Sequence, residues 1–185
     1  MALTQEQIER RIELLLTDPV QLLANAERDA LRRCAVPRWF DRALYDAVLA
    51  AGSVDAGLAF DDVCAHSHVT ALPGERARFA VREPYRSRLF RDWWEDDASP
   101  HAAAAAGADP VAPPHTSAPS PFDGPTPPAL LDLSGRLAAW FAADAHADAL
   151  ERLYHLVLVD RVAAADLFAR LIDDAVARFD LPACH

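Results

Sequence analysis

The sequence predicts a mainly α-helical chain with one small β-hairpin, divided into two parts. Three observations carry this. Apolar residues recur at helical spacing through most of residues 1–66, and again from Pro128 onward. Val69 to Leu72 and Ala77 to Val81 instead read as short strands on either side of a Pro73-Gly74 break. Between the two parts, residues 98–127 hold most of the prolines, an Ala102–Ala106 run, and scattered Ser, Thr and Gly.

Taken in order, Thr4 opens the first helix. Its hydroxyl can cap, and Gln7 stands three residues on, as in a capping box. Ile8, Ile12, Leu15 and Leu16 form one face, and Asp18-Pro19 interrupts it. Leu22, Leu23, Ala26, Ala30 and Leu31 carry a second short helix, which Asn25-Ala-Glu-Arg can restart. Val36-Pro37 breaks the pattern. Asp41 caps a third helix, with Leu44, Tyr45, Val48 and Leu49 spaced for burial. Gly52-Ser53 ends it, and Val54 to Cys64 reads as a fourth helix.

The hairpin follows, with Pro-Gly-Glu-Arg at its tip. On the second strand Ala77, Phe79 and Val81 share one face, and Arg78 and Arg82 share the other. Pro84 suits a first helical position, where its missing N–H has no intrahelical acceptor to lose. Tyr85, Leu89, Phe90 and Trp93 then recur at helical spacing up to Glu95. Phe79 and Trp93 are expected to anchor the hairpin–helix core. Helices followed by a hairpin outline a winged helix over residues 1–97, in which Val54 to Cys64 holds the place of a recognition helix.

Residues 98–127 lack the apolar content to offset ordering entropy, so a flexible linker is expected, with an Ala-rich helical turn near Ala102 as an option. Residues 128–185 are helical again. One stripe is Leu130, Leu133, Leu137, Trp140 and Phe141. A second is Ala147, Leu150, Leu153, Tyr154 and Val157. A third is Val162, Leu167, Phe168, Leu171, Ile172 and Val176. Runs of this length with short breaks suit α-α repeats of tetratricopeptide-like kind, although such arrays usually stack three or more units. Phe179 to His185 reads as the start of another helix.

Composition excludes several classes. Half of the 185 residues are apolar, which suits a packed core. The net charge of −10 opposes generic polyanion binding. All 18 basic residues are Arg, most simply a codon bias that accompanies the many alanines. Cys34, Cys64 and Cys184 are odd in number and widely spaced, so no disulfide framework is expected. No apolar leader or membrane-length run is visible, and a bacterial-type cytoplasm fits.

Candidate sites are few. Cys64, His66 and His68 alternate and could face one ion on a strand, but no second Cys/His pair stands at ligand spacing, so no metal is expected. Arg76, Arg78, Arg82, Arg86, Arg88 and Arg91 cluster on the hairpin and the helix after it, and could contact phosphates or form a solvated face. The would-be recognition helix carries Asp55, Asp61 and Asp62 and no Arg, which a phosphate-lined groove would repel. Ser134 follows no strand and lacks a G-x-S-x-G elbow, and no nucleophile is spaced to His155, Asp160 or Asp166. No phosphate-binding G-x-x-x-x-G-K-[ST] loop occurs. No catalytic residue and no cofactor are expected.

Three stretches carry a resemblance: Leu22-Leu-Ala-Asn-Ala-Glu-Arg-Asp-Ala-Leu31, Ala35-Val-Pro-Arg-Trp-Phe-Asp41, and Leu72-Pro-Gly through Phe79-Ala-Val-Arg-Glu-Pro-Tyr-Arg86. Together they resemble the winged-helix segment that follows the nucleotide-binding domain of STAND-class signalling ATPases. Leu133 to His185 is similar to the helical repeats beyond it. The resemblance implies a regulatory, protein-binding role beside an ATPase domain in cis or in trans. It also implies a phosphate-sensing His-Asp pair after the second wing strand, where this chain has Arg82 and Glu83. Arg82 remains able to donate to phosphate. The ATPase domain itself has no counterpart here. A non-enzymatic interaction module is therefore expected, with a winged-helix transcriptional regulator as the alternative.

Overall fold

A computed structural model of the chain describes residues 20, 23–51, 58–74, 77–105 and 125–178. The helix expected from Thr4, the tip residues Glu75 and Arg76, most of the expected linker and the segment from Phe179 lie outside the described residues. The chain divides into two compact units, Met1–Asp92 and Trp93–His185.

In the first unit, α1 spans Asn25–Cys34. Ala24 offers no side-chain cap, but the Glu27 carboxylate reaches back and accepts its backbone N–H at 3.0 Å. Ala30, Leu31 and Cys34 are buried, which places one stripe of the helix in the core. The chain then crosses Phe40 to Asp41, whose carboxylate accepts the Leu44 N–H at 2.8 Å, as the sequence anticipates. Arg42–Leu44 (α2) continues into a π-helical turn over Tyr45–Leu49.

Helix α3 spans Phe60–Ala65 and is shorter than expected. Leu58 and Ala59 are not helical, and residues 52–57 lie outside the described set. The Leu58 carbonyl accepts a hydrogen bond from Tyr45 Oη at 2.6 Å, a role it has free because no helix turn claims it.

Strands β1 (Val69–Leu72) and β2 (Arg78–Val81) pair antiparallel, with Val69 opposite Val81 and Leu72 opposite Arg78. Gly74 sits in the turn at φ +148°, a conformation that side chains with a Cβ rarely adopt. Phe40 extends the sheet by one bridge: its N–H and carbonyl exchange hydrogen bonds with Phe79, both at 2.8 Å.

An aromatic cluster fills the space beneath this bridge. Phe40 is fully buried, and its ring centroid lies 6.2–6.5 Å from those of Phe79, Phe60 and Tyr45. Phe60 meets Phe79 edge-on at 5.6 Å, a favoured geometry for aromatic pairs. Phe79, expected as a core anchor, is half-buried at the rim of this cluster. Trp93 is buried, as expected.

Helix α4 runs Tyr85–Ala105. It starts one residue after Pro84, which follows a cis peptide bond, and passes beyond Glu95 into the segment read as linker. Its Ala-rich end has high helix propensity, which outweighs the compositional signal that suggested a flexible chain there.

In the second unit, α5 (Pro128–Trp140), α6 (Ala149–Val159) and α7 (Arg161–Arg178) follow one another. Pro128 occupies the first helical position of α5. A 3₁₀ turn at Asp144–His146 lies between α5 and α6, and its His146 ring stacks on Trp140 at 3.9 Å. Asp148 caps α6, accepting the Glu151 N–H at 3.1 Å. A single residue, Asp160, separates α6 from α7, and its carboxylate accepts the N–H groups of Val162 and Ala163. Helix α6 is the middle element, in contact with both α5 and α7.

The first stripe is buried as expected through Leu130, Leu133, Leu137 and Phe141. The second and third depart from expectation. On α6 the fully buried side chains are Glu151 and His155, while Leu150 and Val157 are exposed. On α7, Leu167 is buried with Ala164, Leu171 is half-buried, and Val162, Phe168, Ile172 and Val176 face outward. Both faces of α6 carry apolar residues, so periodicity alone could not choose which one would meet α5.

Candidate functional site

The basic residues of the first unit do not act as one cluster. Arg78 lays its guanidinium on the Trp39 ring, 3.7 Å from the centroid. Arg86 lies 3.7 Å from the Glu83 carboxylate and also donates to the Val36 carbonyl at 3.4 Å. Arg88 pairs with Asp92 one helical turn on. Arg82 is exposed; its backbone N–H donates to the His68 carbonyl at 2.8 Å and so closes the open end of the hairpin. Arg91 is also exposed, and Arg76 lies outside the described residues. Glu83, beside Arg82, accepts from the Ser87 hydroxyl at 2.8 Å and its N–H at 3.3 Å.

Helix α3 turns both of its carboxylates, Asp61 and Asp62, to solvent. Asp61 pairs with Arg42, whose guanidinium also lies over the Phe60 ring. The pair raises the Arg42 pKa, chiefly through the hydrogen bond to Asp61.

Cys64, His66 and His68 do not share a strand. Cys64 is in the last turn of α3, His66 at its C-cap, and His68 just before β1. The two imidazoles meet instead, Nδ1 to Nδ1 at 2.8 Å, so one ring donates and the other accepts. The buried His68 ring also packs edge-on against Tyr85 at 4.0 Å. Burial, then His66 and Arg82, lower the His68 pKa. Burial and the Asp61 carboxylate push the Cys64 thiol up to about 11, which opposes thiolate formation. Cys34, fully buried, is also raised well above the usual thiol range, chiefly by burial. No group of three or more metal-ligating side chains occurs among the described residues.

In the second unit, Ser134, Glu151 and His155 have no exposure at all. His155 Nε2 lies 3.7 Å from Glu151 Oε2 across one helical turn, and its ring stacks parallel to Phe141 at 6.0 Å. Sequence reading weighed Ser134 and His155 without noticing Glu151. The spacing of four between Glu151 and His155 was the available signal, since it puts both on one helical face.

The feature that sequence reading missed is on the other side of α6. A groove of about 310 Å³ runs between α6 and α7, lined by Leu153, Val157, Arg161, Ala164, Ala165 and Phe168. Beyond it the outer face of α7 stays apolar: Val162 is 74 % exposed, Phe168 54 %, Ile172 47 % and Val176 60 %. Scattered single apolar residues are normal on a surface, whereas these four recur along one side of a single helix.

No family model, curated protein or solved structure matches this chain. No helix among the described residues is long and apolar enough to cross a membrane.

Proposed function

We propose that this protein is a non-enzymatic interaction module, in which a winged-helix unit is joined to a short helical-repeat unit that binds protein. The observation that carries this reading is the apolar groove and stripe on α6 and α7, from Leu153 and Val157 across to Phe168 and Ile172.

Support for the winged-helix part comes from element order. Helix, bridging residue Phe40, two helices and a hairpin follow one another, and Phe40 pairs with the second hairpin strand at Phe79. In this reading the unit packs against an ATPase domain of the STAND class, in cis or in trans, with Arg82 free to approach a nucleotide phosphate. The DNA-regulator alternative is disfavoured by charge. The exposed Asp61 and Asp62 occupy the recognition position, while Arg78, Arg86 and Arg88 are engaged within the unit.

The test combines affinity capture from a bacterial lysate with a salt-dependent titration on random duplex DNA. The parent should retain protein that a Phe168→Asp/Ile172→Asp variant loses, and should not bind DNA at about 50 mM salt. Micromolar DNA binding that weakens steeply with salt, with nothing lost in the variant, would overturn the reading.

A further inference from the structure

Two imidazole nitrogens converge where α3 gives way to β1. His66 is the C-cap of α3, and His68 directly precedes β1. Their Nδ1 atoms lie 2.8 Å apart and their ring centroids 4.7 Å apart. The backbone holds both residues in place. The His66 carbonyl accepts the Val69 N–H at 3.0 Å, and the His68 carbonyl accepts the Arg82 N–H at 2.8 Å. Tyr85 fixes the His68 ring from the start of α4 by its edge-on contact. The His68 N–H donates to His66 Nδ1 at 3.3 Å, which identifies that nitrogen as an acceptor and puts the proton between the rings on His68.

The same spacing suits a metal ion. Two nitrogens 2.8 Å apart, each about 2.0–2.1 Å from one ion, subtend about 85–90° at it. That is the angle between adjacent positions of a square-planar or octahedral ion, the geometries of Cu(II) and Ni(II). Tetrahedral Zn(II) would need the nitrogens about 3.3–3.4 Å apart. We propose that His66 and His68 form a two-nitrogen chelate for a divalent transition-metal ion of the nickel or copper kind, with water in its remaining positions. On binding, the His68 proton passes from Nδ1 to Nε2, so both rings stay neutral and both Nδ1 lone pairs face the ion. His66 is half-buried and Ser67 exposed, which leaves the water-filled positions open to solvent. Burial, then His66 and Arg82, hold the His68 pKa down and keep that ring in the neutral form a metal takes. Arg82 opposes a cation, but it is exposed and solvent screens it. No third metal-ligating side chain joins the pair among the described residues, so affinity rests on the two arms acting together.

Titration calorimetry of the full chain with nickel chloride at about pH 7.5, where histidine is neutral, tests this. The parent should bind nickel, and its melting temperature should rise with nickel concentration. His66→Gln removes one arm at a half-buried position and should weaken binding about a hundredfold with an unchanged circular dichroism spectrum. His68→Gln should weaken it as much. His146→Gln, in the second unit against Trp140, should bind nickel as the parent does. A parent that binds no nickel, nickel binding indifferent to His66→Gln, or zinc bound more tightly than nickel would overturn the proposal.

Discussion

Arg28 Nε lies 2.7 Å from Oδ2 of Asp92, and the Asp92 carboxylate is completely buried. Arg88 reaches the other carboxylate oxygen from the preceding turn of α4. A single buried anion thus ties α1 to the start of α4, two elements separated in sequence by the whole sheet. Asp92→Ala would leave two guanidiniums without their shared acceptor. The expected cost is about 2–4 kcal/mol, below the figure for a fully buried pair because both arginines keep some exposure. A chemical-denaturation midpoint unchanged from the parent would contradict this.

The aromatic cluster predicts an order among single truncations. Phe40 is fully enclosed and touches three rings, whereas Phe79 sits half-buried at the rim. Phe40→Ala should cost about 3–5 kcal/mol and Phe79→Ala clearly less. Thermal melts of the two variants decide it, and a larger loss for Phe79→Ala would mean the rim position carries the core.

Acid should loosen the first unit through His68. Its pKa is lowered in the fold by burial, by His66 and by Arg82, so folding favours the neutral ring. That contribution is complete above the ordinary histidine pKa of about 6.5 and is lost as pH falls towards the lower folded value. His68→Gln should remove this part of the pH dependence. The measurement is stability against pH from about 7.5 to 5, parent beside variant; parallel curves would rule out His68 as the titrating group.

The buried Glu151–His155 pair predicts an asymmetry. His155→Ala should cost about 3–5 kcal/mol, because it opens a cavity beside Phe141 and takes a neighbouring ring from a fully buried carboxylate. Replacing both residues with Leu should cost far less, since the surroundings include Phe141 and apolar helix faces. Equal losses for the single and double variants would show that the pair matters for packing alone.

Two arginines, one at the start of β2 and one just past its end, should behave differently. Arg78 covers Trp39, so Arg78→Ala should cost about 1 kcal/mol. Arg82 is exposed, and Arg82→Ala should leave stability within about 0.5 kcal/mol. If Arg82 serves a phosphate in an ATPase partner, the variant's defect appears in partner binding, as measured by capture of that partner.

Local chemistry made much of the fold legible. Asp41 reads as a cap, Pro73-Gly74 as a turn and Pro128 as a helix start, and each performs that role because the interaction lies within a few residues. The end of α4 misled the reading, because prolines further along dominated the local composition while the alanines held the helix. The Arg cluster looked like a surface for phosphate until Trp39, Val36 and Asp92 claimed its members across long sequence separations.

The sequence by itself determined where most of the described helices and strands begin, since capping, turn chemistry and periodicity act over one or two turns. Tertiary structure decided which face each helix hides. Helix α6 is apolar over most of its circumference, with Glu151, Arg152 and His155 gathered on one side, so its burial depended on which neighbour arrived on which side. With α5 against Glu151 and His155, and α7 against the flank, Val157 and the α7 stripe were left in solvent. The candidate interface exists because three helices have fewer faces to offer than these sequences have apolar stripes to cover.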